Sequence, residues 1–299
     1  MKAGSATRLG LLAMLWGSSF LWISLALEGL APVQIALVRV AIGAVVLAAT
    51  VRLRGLRLPR DVATWRALTV AALLACAVPY TLFGIAEQTV DSAVAGAINA
   101  TTPLWTFAIA LAAGTESRPD PRRAVGLALG LTGAVLLLAP WHTAGTGALG
   151  GSLACVGAAA SYGLGYVYMG RRLVGVGIPP LVLAAAQLVA ATGLMALTIP
   201  LAGRHAVHLD GSVVGAMAVL GLGGTGLAYV LSYRLIVDEG PTAASTVTYL
   251  MPAIAITLGV GTRGDALTWR LAAGTAVVLI GVALAQRRPT QAETPTGRP

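Results

Sequence analysis

One arginine stands alone in an apolar stretch. Arg39 lies seven residues inside the run Pro32–Val51, which carries no other charge, or ~10 Å along a helix that rises 1.5 Å per residue. Its planar guanidinium suits a carboxylate or a phosphate. An ionisable group in hydrocarbon costs about 2.5–3.5 kcal/mol on insertion scales and by default marks a pathway or binding site. Snorkelling to the outer interface or tying down backbone carbonyls is the alternative. Gln187 sits at the same depth in a second run; it either faces a cavity with Arg39 or makes an ordinary interhelical hydrogen bond. Loss of either side chain is expected to abolish function without loss of membrane insertion. Trp16, Phe20, Trp22, Tyr162, Tyr166 and Tyr168 recur at helical spacing. They could line a cavity or sit at the membrane interface, with Trp16, Tyr162 and Tyr166 deep enough to favour the cavity. Tyr80 and Tyr229 carry the same preference, and Ser19 lies beside Trp16 on the first run. Pro103 and Pro252 fall near the middle of two further runs. A helical proline removes the bond to the carbonyl four residues earlier, here Asn99 and Thr248. Each kink would present a free carbonyl beside a polar side chain, with Tyr249 adding polarity. The two prolines are therefore candidate hinges, with a simple packing kink as the alternative.

Other chemistries are excluded by residue type. Lys2 is the only lysine, which leaves no P-loop, Schiff-base lysine or Ser-Lys pair. Cys76 and Cys155 lie in apolar runs and read as buried free thiols. Gly221–Gly226 matches G-x-G-x-x-G but lies inside an apolar run, so close helix packing explains it better than a dinucleotide. His205 and His208 make a poor metal site, and His142 falls in a loop. No cofactor and no metal are expected. An intramembrane enzyme needs clustered His, Glu or Asp at depth, and the three histidines are all in loops.

The elements that position these residues follow from composition. The chain has 299 residues, 57% hydrophobic and only 10% charged, with mean hydropathy +0.83. So little charge cannot cover a water-facing surface. Runs of roughly 20 apolar residues suit spanning helices, and these are too long and continuous for barrel strands. Ten are read: Leu9–Leu27, Pro32–Val51, Ala67–Ala86, Ser92–Gly114, Ala124–Trp141, Gly150–Gly170, Pro180–Leu201, Val213–Leu235, Thr242–Thr262 and Leu267–Gln286. The first is expected to be a retained helix rather than a signal peptide. With the N-terminus inside, 16 of the 20 basic residues fall in inner loops and three (Arg204, Arg263 and Arg270) outside. The positive-inside rule then puts both termini in the cytoplasm. The net charge of +9 reports membrane topology, not nucleic-acid binding.

The two halves match in order. Trp16, Gly17, Phe20 and Trp22 pair with Tyr162, Gly163, Tyr166 and Tyr168 at an offset of 146. Pro32, Arg39, Gly126 and Gly133 pair with Pro180, Gln187, Gly274 and Gly281 at 148. Tyr80, Asn99, Pro103 and Glu116 pair with Tyr229, Thr248, Pro252 and Asp265 at 149. Residues 1–145 form a first five-helix unit, 146–286 a second, and 287–299 a disordered cytoplasmic tail. Five is odd, so the second unit enters the membrane from the opposite side. The expected fold is an all-α membrane protein of ten helices, two inverted repeats around a central cavity, as in many secondary carriers.

The stretch Leu15-Trp16-Gly17-Ser18-Ser19-Phe20, the run Ala36-Leu37-Val38-Arg39 and the turns Thr102-Pro103-Leu104 and Met251-Pro252-Ala253 resemble the EamA-type transporters of the drug/metabolite transporter superfamily. The resemblance covers about residues 9–286. It departs at Thr115-Glu116 and Gly264-Asp265, where the family usually has a Gly-Glu pair. It implies an inner-membrane carrier, often an exporter of amino acids or other small metabolites. The expected partners are the lipid bilayer and a small-molecule substrate, with a monomer plausible and the oligomeric state unread. No carboxylate stands at mid-span; Glu87 is the best placed, at the end of the third run. Uniport, exchange with a counter-substrate and proton antiport all stay open. A small multidrug carrier would hold a glutamate in the first run, where Ser18 and Ser19 stand. A multidrug carrier and a non-transporting receptor or structural protein are the alternatives.

Overall fold

The computed structural model describes residues 3–115, 121–138, 146–197, 199, 207–264 and 266–286. Every regular element among them is helical. The first rod joins α1 (Ala3–Gly17) and α2 (Ser19–Ala26), and α3 spans Pro32–Leu53. α4 (Val62–Ala72) and α5 (Val78–Ala86) are joined by a π-helical turn, Leu73–Ala77. α6 (Ser92–Asn99), α7 (Thr102–Ala112) and α8 (Pro121–Leu138) complete the first half. The second half has α9 (Thr146–Arg172), α10 (Pro180–Ala196), and α11 (Gly211–Ala218) joined to α12 (Ala228–Glu239) through a π-helical segment, Val219–Leu227. It ends with α13 (Pro241–Ser245), a 3-10 turn (Thr246–Tyr249), α14 (Met251–Leu258), a π turn (Gly259–Arg263) and α15 (Trp269–Gln286).

Among the described residues five segments are long and apolar enough to cross a membrane: Gly4–Ala26, Pro32–Leu53, Val62–Ala86, Val94–Ala112 and Gly211–Glu239. Pro180–Ala196 and Trp269–Gly281 are apolar but shorter. The other runs read in the sequence hold α8, α9, α10 and α15, each a single helix, and a ninth run cut into α13, a 3-10 turn, α14 and a π turn.

Local chemistry repeats between the halves. Pro32 and Pro180 open α3 and α10, where a fixed φ and missing N–H cost nothing. Asp61 and Asp210, also 149 apart, cap α4 and α11 by accepting from Thr64 N at 2.6 Å and Val213 N at 2.8 Å. These bonds hold both carboxyls below their ordinary value of 3.8. The two π-helical segments also coincide at that offset.

The packing is antiparallel between matched elements. A Cβ on Gly133 would lie 2.9 Å from Gly274 O and 2.6 Å from Val278 N. One on Gly281 would lie 2.7 Å from Gly126 O and 2.3 Å from Gly130 N. Each contact becomes the other when the repeat partners are exchanged, which is the signature of a two-fold relation between α8 and α15. The stripe Gly126–Gly130 is thus an internal surface, as its small residues allow. α1 starts where α12 ends, at the Arg8–Asp238 ion pair, and α9 ends where α13 begins, with Gly170 against Pro241. α1 and α9 therefore run in opposite directions.

Candidate functional site

The breaks in these rods converge on one cavity with an empty volume of about 450 Å³, its open mouth included. The first rod lends Trp16, Ser19, Phe20 and Ile23; α3 lends Arg39; α5 lends Tyr80 and Phe83. Asn99 comes from the end of α6, Tyr162 and Tyr166 from α9, and Thr248 and Met251 from the junction before α14. Nine residues singled out in the sequence meet here: Trp16, Ser19, Phe20, Arg39, Tyr80, Asn99, Tyr162, Tyr166 and Thr248.

Arg39 is 3% exposed. Its Nε donates to Thr225 Oγ1 at 3.0 Å, and its guanidinium carbon sits 3.9 Å above the Tyr80 ring, a cation–π geometry. Among the described residues no carboxylate pairs with it; the ion pair present is Arg8–Asp238 at the surface. Trp16 Nε1 donates to Gly224 O at 3.0 Å, which fixes the indole across the seam. Phe20 meets Phe83 edge-on at 5.4 Å, and Phe83 stacks with Tyr162 at 6.1 Å. The Tyr80 and Tyr166 hydroxyls are buried and make no hydrogen bond within 3.5 Å; Tyr229 and Thr225 lie near the first and Ser232 near the second.

The prolines do more than kink. Pro103 is buried in the first turn of α7, and Pro252 opens α14. The fourth run is interrupted by a short turn at Ala100 and Thr101 and the ninth by a 3-10 turn, and each proline sits in the first turn of the helix that follows, where it is accepted. Asn99 and Thr248 end up at the breaks. Asn99 Oδ1 accepts from Thr102 at 3.1 Å, and Thr248 donates to Ser245 O at 2.8 Å. Irregular backbone at this depth is tolerated where it lines a cavity.

Gln187 departs from expectation. It is fully buried and outside the lining. Its amide donates to Ala71 O at 3.1 Å and lies 3.8 Å from Cys76 Sγ, and its carbonyl accepts from Tyr233. Repeat symmetry holds for position: Arg39 reaches Thr225, and Gln187 reaches Cys76, which is 149 residues before Thr225. Chemistry differs, because a neutral amide is satisfied by the Ala71 carbonyl and the Tyr233 hydroxyl and a charge is not. Tyr229 also stands behind the lining. Its hydroxyl donates to Ala75 O, and its ring meets Trp16 edge-on at 6.3 Å. The side chains of Tyr249 and Pro252 lie outside the described residues, as do His142, His205, Glu116, Asp265 and the tail 287–299.

The remaining motifs resolve as structure. Trp22 packs in the cluster at the far end of the first rod, and Tyr168 against the main core. In the glycine-rich segment, Gly221 abuts Ile42 and Gly226 abuts Gly43. Glu87 accepts from Ser92 at 2.9 Å. His208 lies in a loop and donates its backbone N–H to Gly29 O at 3.0 Å. Among the described residues no cluster of His, Cys, Asp or Glu could hold a metal. Thr225, Phe83, Ile23 and Met251 were not legible as site residues, being apolar or small within apolar runs.

Comparison with known proteins agrees with this architecture. The chain is 31% identical over 260 residues to the uncharacterized inner membrane transporter YedA of Escherichia coli K12, covering 86% of this chain and 82% of that one. It is 29% identical over 247 residues to the uncharacterized transporter YdfC of Bacillus subtilis, covering 81% and 78%. A solved crystal structure superposes with a TM-score of 0.71 over 96% of this chain and 98% of its own, at 23% identity, which speaks to fold alone. The model of the EamA-like transporter family matches twice, over residues 7–139 and 149–286. The chain belongs to the EamA-like transporter family.

Proposed function

We propose that this protein is a secondary transporter of the cytoplasmic membrane that exports small metabolites, such as amino acids or related amphipathic compounds, by alternating access. Ten helices cross the bilayer as two inverted five-helix repeats, residues 1–145 and 146–286, with both termini in the cytoplasm. Cargo binds in the cavity between the repeats. Trp16, Ser19, Arg39, Tyr80, Asn99, Tyr162, Tyr166 and Thr248 contact it, and the breaks at Pro103 and Pro252 act as hinges. Gln187 and Tyr229 hold the seam behind the site.

The observation that carries this reading is Arg39: a buried guanidinium, on the wall of a cavity built from both halves, without an anion of its own. The exchange symmetry of the α8–α15 contacts supports the mechanism, because two similar halves can trade conformations at little energetic cost. The inner-membrane transporter relatives support the location. The test is flux of a metabolite panel through the full chain reconstituted in liposomes, with Arg39→Ala as control. Flux is expected for the native chain and lost in the variant at equal insertion. Equal flux in both would move Arg39 to a structural role, and no flux for any cargo would favour a non-transporting receptor.

A further inference from the structure

Among the described residues the cavity wall holds one formal charge, and it is positive. The twelve described lining residues include Arg39 and no aspartate or glutamate. Thr225 takes one N–H and Tyr80 offers a ring face, but neither neutralises the guanidinium. A buried charge is ordinarily paired.

Two further donors point the same way. The hydroxyls of Tyr80 and Tyr166, residues 5% and 3% exposed, make no hydrogen bond within 3.5 Å, with Tyr229 and Thr225 near the first and Ser232 near the second. Buried polar atoms in that condition are exceptions that call for a reason. A guanidinium with only its Nε–H engaged and two tyrosine hydroxyls on one cavity form a set of donors without an anionic acceptor among the described residues. A carboxylate supplies it, since its two oxygens carry about four lone-pair sites and match the guanidinium fork. Beside the donors, Phe20, Phe83 and Tyr162 form a continuous aromatic wall, suited to an apolar body. An ammonium group in the same space meets Arg39 at low dielectric, where repulsion is strong. In an α-amino acid the ammonium is held next to the carboxylate and cannot avoid it.

We propose that the preferred cargo is a small organic anion, a carboxylate on an apolar or aromatic body, and that the cavity rejects the matching zwitterion and cation. This assignment rests on the cavity being the transport site, and within the small-metabolite class proposed above it replaces amino acids with carboxylates that carry no ammonium group. The probes are phenylacetate, phenylalanine and phenethylamine, which share a ring and differ in charge. Binding of each to the purified full chain is measured by calorimetry at neutral pH. Phenylacetate is expected to bind at least about tenfold more tightly than the other two, the scale of a hydrogen-bonded charge pair. Arg39→Gln removes that preference. Tyr80→Phe and Tyr166→Phe, which keep the rings, each weaken phenylacetate about threefold to tenfold and leave phenethylamine unchanged. Equal or tighter binding of phenylalanine or phenethylamine overturns the assignment, as does a folded chain that binds none of the three. Flux of phenylalanine without binding of phenylacetate sinks the anion assignment and spares the carrier. Phenylacetate binding by a chain that moves no cargo does the reverse.

Discussion

Thr225 decides where the Arg39 charge points. It is fully buried on the π-helical segment Val219–Leu227, and its hydroxyl accepts the guanidinium Nε at 3.0 Å. Thr225→Val keeps the volume and branching and deletes only the acceptor. Arg39 then keeps the Tyr80 ring at 3.9 Å but can swing out of register with the cavity. A hydrogen bond to a charged group is worth about 1.5–3 kcal/mol, or roughly tenfold to 150-fold. The loss is read in flux at subsaturating cargo, which reports kcat/KM, using a cargo that the native chain carries in the liposome panel. Thr225→Ser restores the acceptor and is expected to recover to within about threefold of native. If Thr225→Val carries cargo at the native rate in a folded, inserted chain, the positioning role is refuted.

Other perturbations separate seam from site. Gln187→Ala strands Ala71 O and the Tyr233 hydroxyl, at about 1–3 kcal/mol for each buried group left unpaired. It is expected to lower resistance to detergent unfolding while leaving cargo affinity unchanged, and an affinity loss with intact stability would return Gln187 to the site. Gly133→Ala and Gly281→Ala drive a Cβ into the backbone of α15 and α8 at 2.6 and 2.3 Å, each costing about 1–3 kcal/mol by overpacking. The same unfolding assay should find them similar, and a large disparity would count against their equivalence. Asp61 has a lowered pKa through the Thr64 N–H, so its cap stabilises above the unfolded value and is lost as pH falls through the folded one. Thermal melts should show Asp61→Asn, which still caps α4, less acid-sensitive than native below about pH 4; identical melts would discount the cap.

Much of the site was legible because rarity is visible against an apolar background. Arg39, Asn99 and Thr248 are polar where nearly everything is aliphatic, and a repeat at near-constant offset puts them in register. Trp16, Tyr80, Tyr162 and Tyr166 stood out by size. The same background hides the rest. Phe83, Ile23 and Met251 line the cavity, but an apolar side chain in an apolar helix has no contrast. The π turns leave no mark either, because a periodicity of 3.6 cannot be read where every face is apolar. Gln187 misled because symmetry constrains backbone position and not the hydrogen-bonding needs of the side chain placed there. The prolines gave the location of the breaks but not their extent. Whether Pro103 kinks one helix or starts another depends on the packing of α6 and α7 against their neighbours.

Access to the cavity from the two sides of the membrane is the most direct measurement. Ser19 lines it at the junction of α1 and α2, and the native thiols Cys76 and Cys155 are buried. A Ser19→Cys chain is exposed to a membrane-impermeant maleimide in right-side-out and in inverted vesicles. Alternating access predicts labelling from both faces, slowed in each case by bound cargo. Labelling from one face alone, whatever the cargo, would contradict it.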